Sequence, residues 1–373
     1  MAKAVFFISA FILLYTYALY PLWMWLFWRQ LNQSASGDSE PSRWPSVSVI
    51  VGCYNEESFI ADKIANFLGN DYPGDSELLV VSDGSTDRTA EIAKSVKNNR
   101  VRVFARWPRR GKGAAVNFAA GEARGELLIF TDANAFFAKD ALRELALPFA
   151  DPNVGVVTGV SRYPEETIGS VYQRYEAVLK SLEARRGIIA TADGAIYALR
   201  GCLWRSYDDG LIHEFLHPIQ AAIQGATSLI ASNAVCIEHF SVENEFARQS
   251  RMVSQAALVL FRFLPVLVCS RCWNMVFVLI SHKLLRWLTL PILTLFVVAT
   301  SWLASQGGIY LIALWTQGLF GALAVCGSVA ERLGMAQKAA AAYQFVRLNS
   351  AALLGLCLYL LGRVPVTWQP RGR

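Results

Sequence analysis

The sequence predicts an α/β domain with a doubly wound sheet, set between transmembrane helices. Short β-branched runs such as VSVIVGC (47–53) alternate with stretches of helical periodicity up to residue 130. Apolar segments long enough to cross a bilayer, which takes roughly 20 residues, stand toward both ends of the chain. The composition is 54% hydrophobic and 17% charged, against roughly 25% charged in an average soluble domain. A wholly soluble chain is therefore excluded, and 12% aromatic content excludes a disordered one. Seven cysteines, odd in number and without a regular framework, fit a reducing compartment better than a disulfide scaffold.

The first element is a helix. Ala4 to Trp28 contains no charged residue, and Trp23, Trp25 and Trp28 followed by Arg29 form an interfacial aromatic belt. A signal peptide has a shorter apolar core, so residues 1–30 are expected to be a retained transmembrane helix. A polar linker occupies 31–44, and a domain of ordinary globular composition occupies 45–257. Val47–Cys53 reads as a buried parallel strand. Residues 57–70 place Phe59, Ile60, Ile64, Phe67 and Leu68 on one helical side. Leu78–Val81 is the second strand and ends at SDGSTD, where Asp83-Gly84 breaks the chain and Ser85 or Thr86 can cap the next helix. Arg102–Phe104 and Leu127–Phe130 are the third and fourth strands, the last running into TDAN. In such sheets ligands bind outside the carboxyl ends of the strands. The clusters YNEE, SDGSTD and TDAN should therefore meet in one crevice.

Beyond Leu258 the chain turns apolar again. Leu288–Ala304, Ile309–Cys326 and Ser350–Leu361 are candidate spans of a region 288–373, the last needing to start near Tyr343. Arg262 and Arg271 interrupt Phe261–Ile280, and with Lys283 and Arg286 the segment 258–287 is expected to lie in the membrane interface. Arg332, Lys338 and Arg347 mark the loop Ser328–Asn349 as cytoplasmic, which places 29–287 in the cytoplasm. The three Arg of GRVPVTWQPRGR then fall outside, against the same rule, and leave the span count open. The net charge, 35 − 29 = +6, sits beside apolar segments rather than in a basic stripe with interleaved aromatics. Membrane phospholipid accounts for it better than nucleic acid does.

Four motifs occur in order: SVIVGCYNEE (48–57), VVSDGSTDRT (80–89), RRGKGAAVN (109–117) and IFTDANAFF (129–137). They resemble the N-terminal half of inverting family 2 glycosyltransferases with the GT-A (Rossmann-like) fold. Farther on, TADGAIYALR (191–200), ENEFARQSRM (243–252) and SHKLLRW (281–287) resemble the membrane-bound bacterial branch. That resemblance implies a nucleotide-sugar donor, with UDP favoured, and a lipid-linked or glycan acceptor at the inner membrane.

It also implies roles for particular residues. Asn55, Glu56 and Asp83 match the positions that hold the nucleoside, although Asp83 also reads as a plain capped-turn residue. Asp132 and Asn134 match the acidic pair that holds Mg²⁺ or Mn²⁺, with Asn replacing the second acid. Lys112, between two glycines, can approach the diphosphate or stand solvated. Glu214 takes the general-base position in His213-Glu214-Phe215, with Asp208 or Asp209 as substitutes. Asp193-Gly194 matches a position near the acceptor. Arg248 and Arg251 fall where the membrane branch has Q-x-x-R-W, and Met252 replaces the Trp that a processive synthase offers its polymer. Arg251 suits a two-pronged diphosphate contact, or anionic lipid.

Three further readings compete. A processive synthase differs only in product, and a catalytically inactive partner subunit fits the Asn134 and His213 departures. His213-Glu214-Phe215-Leu216-His217 also satisfies H-E-x-x-H, the zinc peptidase pattern, with Glu238 or Glu243 as third ligand. Pro218 argues for a helix starting after it, which would separate the two histidines. Cys269-Ser-Arg-Cys272 has no second pair to complete a zinc site.

Overall fold

The computed structural model describes residues 1–28, 41–162, 170–239, 245–333 and 341–365. Most of the expected linker, Glu243, Lys338 and the last eight residues lie outside the described residues.

The expected strands are present, β1 with the expected bounds and the others a little longer: β1 (Val47–Cys53), β2 (Ser76–Asp83), β3 (Val101–Arg106) and β4 (Leu127–Thr131). They pair in parallel in the order β3-β2-β1-β4, with Val49 opposite Leu78 and Ile129. Helices α3 (Ile60–Leu68), α4 (Thr89–Ser95) and α5 (Lys112–Glu122) make the crossovers. The strands read as continuous apolar runs because both faces are covered. Val49, Val51, Leu78 and Val80 pack on Ile60, Ile64 and Phe67, while Ile50, Leu79 and Val81 pack on Ala115, Val116 and Ala119. That is the two-residue period of a strand feeding two separate layers.

The doubly wound expectation holds only for this half. The remaining strands are β5 (Ala135–Phe137), β6 (Val154–Arg162), β7 (Tyr197–Arg200) and β8 (Thr227–Glu238), and they extend the sheet as β4-β7-β6-β8-β5. β7 is antiparallel to both β4 and β6, so the sheet is mixed. Helices α6 (Ala141–Ala146), α7 (Ser170–Ala184) and α8 (His213–Ile223) complete the domain.

Membrane-type helices flank it. The N-terminal helix runs as α1 (Ala2–Leu14), a π turn and α2 (Tyr20–Trp28). After the domain come α9 (Glu245–Cys269), α10 (Trp273–Val278), a π segment (Leu279–Leu284), α11 (Leu285–Trp287), α12 (Thr289–Leu303), α13 (Ile309–Arg332) and α14 (Ala341–Leu360). Among the described residues, five helices are long and apolar enough to cross a membrane. α13 exposes Trp315, Leu319 and Val325, as a lipid-facing helix would. α14 begins near Tyr343, as its length required.

Two expectations are corrected. α9 runs unbroken through Leu258, so no boundary falls there, and residues 258–269 complete a 25-residue helix rather than open an interfacial segment. Its buried face (Val253, Ala257, Leu260, Leu267) joins a core with Leu216 and Ile219 of α8 and Tyr20 of α2. Arg262, which argued against a span, pairs with Asp208 of the soluble domain. Secondly, α8 starts at His213 and carries Pro218 inside it. Proline there costs one main-chain hydrogen bond, to the carbonyl of Glu214. That carbonyl instead accepts the Ala192 N–H (2.8 Å) and the Thr191 hydroxyl (3.3 Å), which offsets the loss.

Candidate active site

The three strand-end clusters do meet. Asn55 adopts a left-handed backbone (φ 55°), which Asn tolerates better than most residues. Its side chain spans to the next turn: Oδ1 accepts the Thr86 N–H (2.9 Å) and Nδ2 donates to the Thr86 hydroxyl (3.2 Å). The Glu56 N–H donates to Thr89 Oγ1 (2.8 Å). Asp83 is buried, and its carboxylate accepts the N–H of Arg110 (3.0 Å) and of Gly111 (2.6 Å). Asn55 and Asp83 thus hold together the turns that follow β1, β2 and β3. The Arg109 guanidinium lies 3.5 Å over the Tyr54 ring at the same rim.

Gly111 (φ 102°) turns the chain into α5, and a helix N-terminus favours an anion. Lys112, the first residue of α5, forms an ion pair with Asp132 at the end of β4. Gly113 packs so closely on the 208–210 loop that any Cβ would overlap the Asp209 carbonyl oxygen. Gly113→Ala should therefore destabilise the domain by about 1–3 kcal/mol. An unchanged melting temperature in detergent would contradict this.

Behind Asp132 lies a residue that motif reading passed over. Lys63 is fully buried, donates to Thr131 Oγ1 (3.0 Å) and to the Ala135 carbonyl, and sits 4.1 Å from the Phe137 ring centre. Burial pushes its pKa down to about 7, against the pull of Cys236 and Asp132. The available signal was its spacing, three after Ile60 and four before Phe67 on the apolar face of α3. The Asn134 Nδ2 donates to the His239 carbonyl (2.6 Å).

Opposite stands Glu214, in the first turn of α8. A Cβ on Gly194 would come within 3.2 Å of its Oε1, so the 193–194 turn lies directly against the carboxylate. Asp193 spends its oxygens on Ser161 (2.7 Å to the hydroxyl) and on the Ala195 N–H (3.1 Å), which shapes that turn. Burial raises the Glu214 pKa and Asp132 adds to the rise, while Lys112 and Arg251 pull it back. The substitute bases are engaged elsewhere: Asp208 pairs with Arg262, and Asp209 with Arg110 (2.6 Å).

His213 and His217 share one helix, as H-E-x-x-H requires, and one nitrogen of each has another partner, while His217 Nε2 is buried without one. His213 Nε2 meets Asn117 Oδ1 (3.1 Å), and His217 Nδ1 meets the Tyr197 hydroxyl (3.1 Å). Burial lowers the His213 pKa to about 4, so it stays neutral. Among the described residues no group of three or more His, Cys, Asp or Glu is placed to hold a metal; Glu243, one of the two candidate third ligands, lies outside them.

Arg248 and Arg251 enter from the first turns of α9. Arg248 pairs with Glu245 (2.9 Å), and Arg251 lies within the electrostatic reach of Glu214 and Asp132. Glu238, offered by the sequence only as a third zinc ligand, stands at the end of β8. Burial and then Asp132 push its pKa up to about 7.

A divalent cation fits these oxygens in one way. Mg²⁺-type sites are often held by one or two carboxylates plus substrate phosphates, not by an all-protein cage. Asp132 and the Asn134 amide oxygen supply such a partial set, with Lys112 to be displaced from Asp132 on loading.

Comparison with known proteins agrees with this geometry. Residues 48–203 match the family described as Glycosyl transferase family 2. The poly-beta-1,6-N-acetyl-D-glucosamine synthase of Staphylococcus epidermidis is 28% identical over 195 residues, covering 47% of this chain and 47% of that protein. Beta-monoglucosyldiacylglycerol synthase of Synechocystis sp. is 30% identical over 173 residues, covering 44% and 36%. The chain spans about half the length, or less, of the curated relatives it matches. Among solved structures, the mannosyltransferase PcManGT from Pyrobaculum calidifontis, in complex with GDP-Man and Mn²⁺, superposes with a TM-score of 0.72 at 21% identity. That match covers 97% of this chain and 100% of the other, and it fixes the fold as GT-A with flanking apolar helices.

Proposed function

We propose that this chain, whose residues 48–203 match the family described as Glycosyl transferase family 2, moves a sugar from a nucleotide-diphosphate donor to a lipid-linked or glycan acceptor at the cytoplasmic membrane face. The observation that carries the reading is one crevice with a buried-type base, Glu214, on one wall and the Lys112–Asp132 pair on the other. Glu214 takes the proton of the acceptor hydroxyl as its oxygen attacks the anomeric carbon, and the bond from that carbon to the diphosphate oxygen breaks. Attack from the face opposite the leaving group inverts the centre, so an α-linked donor yields a β-linkage. Lys112, Arg251 and the N–H groups opening α5 stabilise the departing diphosphate. Mg²⁺ or Mn²⁺, held through Asp132 and Asn134, would neutralise further charge there. Asn55, Glu56 and Asp83 shape the nucleoside pocket, the Asp193-Gly194 turn borders the acceptor side, and Arg248 frames the entrance.

The curated relatives include both a polymer synthase and a single-sugar lipid glucosyltransferase by name. Met252 in place of an aromatic stacking surface favours single transfer for this chain. The test uses the full chain in nanodiscs with UDP- and GDP-sugars, Mn²⁺ or Mg²⁺ and membrane lipid. Nucleotide release with one added sugar is expected. A ladder of products would replace this reading with a processive synthase, and no release from any donor would favour an inactive partner subunit.

A further inference from the structure

A second ionisable cluster lies outside the crevice, and three of its members, His282, Lys283 and Arg286, belong to the SHKLLRW stretch. It lies where α7, the π segment and the N-terminal helix meet. Glu176 is paired with Arg286, with Lys283 (3.2 Å) and with His282 Nε2 (3.2 Å). Against the upward push of burial, Arg286 and then Lys283 and His282 hold Glu176 well below the ordinary carboxylate range. About two turns of α7 away, Glu183 is completely buried. Its Oε1 accepts the Tyr20 hydroxyl of the N-terminal helix (3.1 Å) and faces His282 Nδ1. Its Oε2 accepts the Ala190 N–H (3.1 Å).

A buried carboxylate costs several kcal/mol unless it is well paired, so its partners indicate what it achieves. Those of Glu183 come from three separate pieces: the membrane helix, the π segment, and the loop that follows α7. That loop leads straight to the base. One residue past Ala190, Thr191 and then Ala192 bond the Glu214 carbonyl, which Pro218 has left without its helical donor. Two residues further, Gly194 lies against the Glu214 carboxylate. An unbroken path of hydrogen bonds and two short chain steps therefore joins Tyr20, inside a membrane-type helix, to the catalytic carboxylate.

We propose that Glu183 is a positioning residue: through Ala190 and the 191–194 segment it holds Glu214 in register with the N-terminal membrane helix. An acceptor anchored in the bilayer presents its hydroxyl at a depth set by the membrane, and Glu183 refers the base to that same frame. The inference rests on Glu214 being the base. Misplacement of a catalytic group by about 1 Å can cost 10²-fold in rate.

The test compares variants of the full chain in nanodiscs by kcat, acceptor KM and binding of UDP or GDP, whichever the donor panel releases. Glu183→Leu should lower kcat at least about 10-fold with nucleotide affinity and acceptor KM nearly unchanged. Glu183→Gln, which keeps an oxygen for the Ala190 N–H, should recover most of that loss. Should Glu183→Leu fail to fold, Pro218→Ala reaches the same joint from the other side. It returns a helical N–H to the Glu214 carbonyl, competes with Ala192, and should lower kcat without lowering the melting temperature. Unchanged kcat in both Glu183→Leu and Pro218→Ala overturns the proposal. A parallel fall in nucleotide affinity overturns it in favour of a merely structural role. Glu214→Gln is the control: if it retains transfer, the base assignment fails and this inference with it; if it alone loses transfer, only the positioning role fails.

Discussion

Replacing Glu214 by Gln is expected to lower the transfer rate by about 10²–10⁴-fold while UDP or GDP binding stays within about twofold, because only proton removal from the acceptor is lost. The carboxamide keeps the shape beside Gly194 and cannot accept a proton. The wild-type pH profile should carry a matching signature. Burial raises the Glu214 pKa, so the base is protonated and idle at low pH, and activity is lost as pH falls through that raised value. The acid limb should lie above the ordinary carboxylate range and disappear from the residual activity of Glu214→Gln. Stability should move the other way. A carboxyl whose folded-state pKa is raised binds its proton more tightly folded than unfolded, so folding loses free energy as pH rises from the ordinary to the raised value. Above that window Glu214→Gln should melt higher than wild type, as expected of a site that trades stability for function. Full transfer activity in this variant would remove Glu214 from the mechanism.

Asp132→Ala is expected to be the second severe loss. Asp132 is the one carboxylate at the end of β4 that faces Lys112, and the proposed cation has no other acid at its motif. Removing it leaves Lys112 unpaired and takes away the anchor for Mg²⁺ or Mn²⁺, at a cost of about 10²–10³-fold in kcat/KM by analogy with other preorganised electrostatic groups. Titration of donor-sugar binding with Mn²⁺ separates the two contributions. Wild type should bind donor more tightly as Mn²⁺ is added, whereas Asp132→Ala should show a flat titration. Metal-dependent binding that survives the substitution would move the cation to other oxygens, with Glu238 the first to examine.

Much of the crevice was legible in advance because its parts are local. A β-branched run of seven residues buried on both faces declares itself, and each strand ends in a polar cluster that a doubly wound sheet must bring together. Local patterns also misled in specific ways. Arg262 looked like an interruption of an apolar helix, yet it extends from α9 to Asp208. Pro218 looked like a helix boundary, yet a neighbouring loop supplies the hydrogen bond that proline forfeits. Asp83 matched a nucleoside position or a plain capped turn, and nothing local showed that its oxygens also accept the Arg110 and Gly111 amides. In each case the deciding partner lies far away in sequence, where no periodicity reaches.

The sequence by itself determined the parallel half of the sheet, the membrane-crossing character of the flanks and the residue types gathered at the strand ends. Side-chain period, hydrophobic length and turn chemistry are short-range properties, written in neighbouring residues. Only the tertiary structure decided that the second half of the sheet is mixed, that burial pushes the pKa of Glu238 up and that of Lys63 down, and that Glu183 bridges the Tyr20 helix, His282 and the Ala190 loop. Those outcomes depend on which distant groups share a low-dielectric interior, where each buried charge and each orphaned carbonyl takes the partner that packing brings within reach.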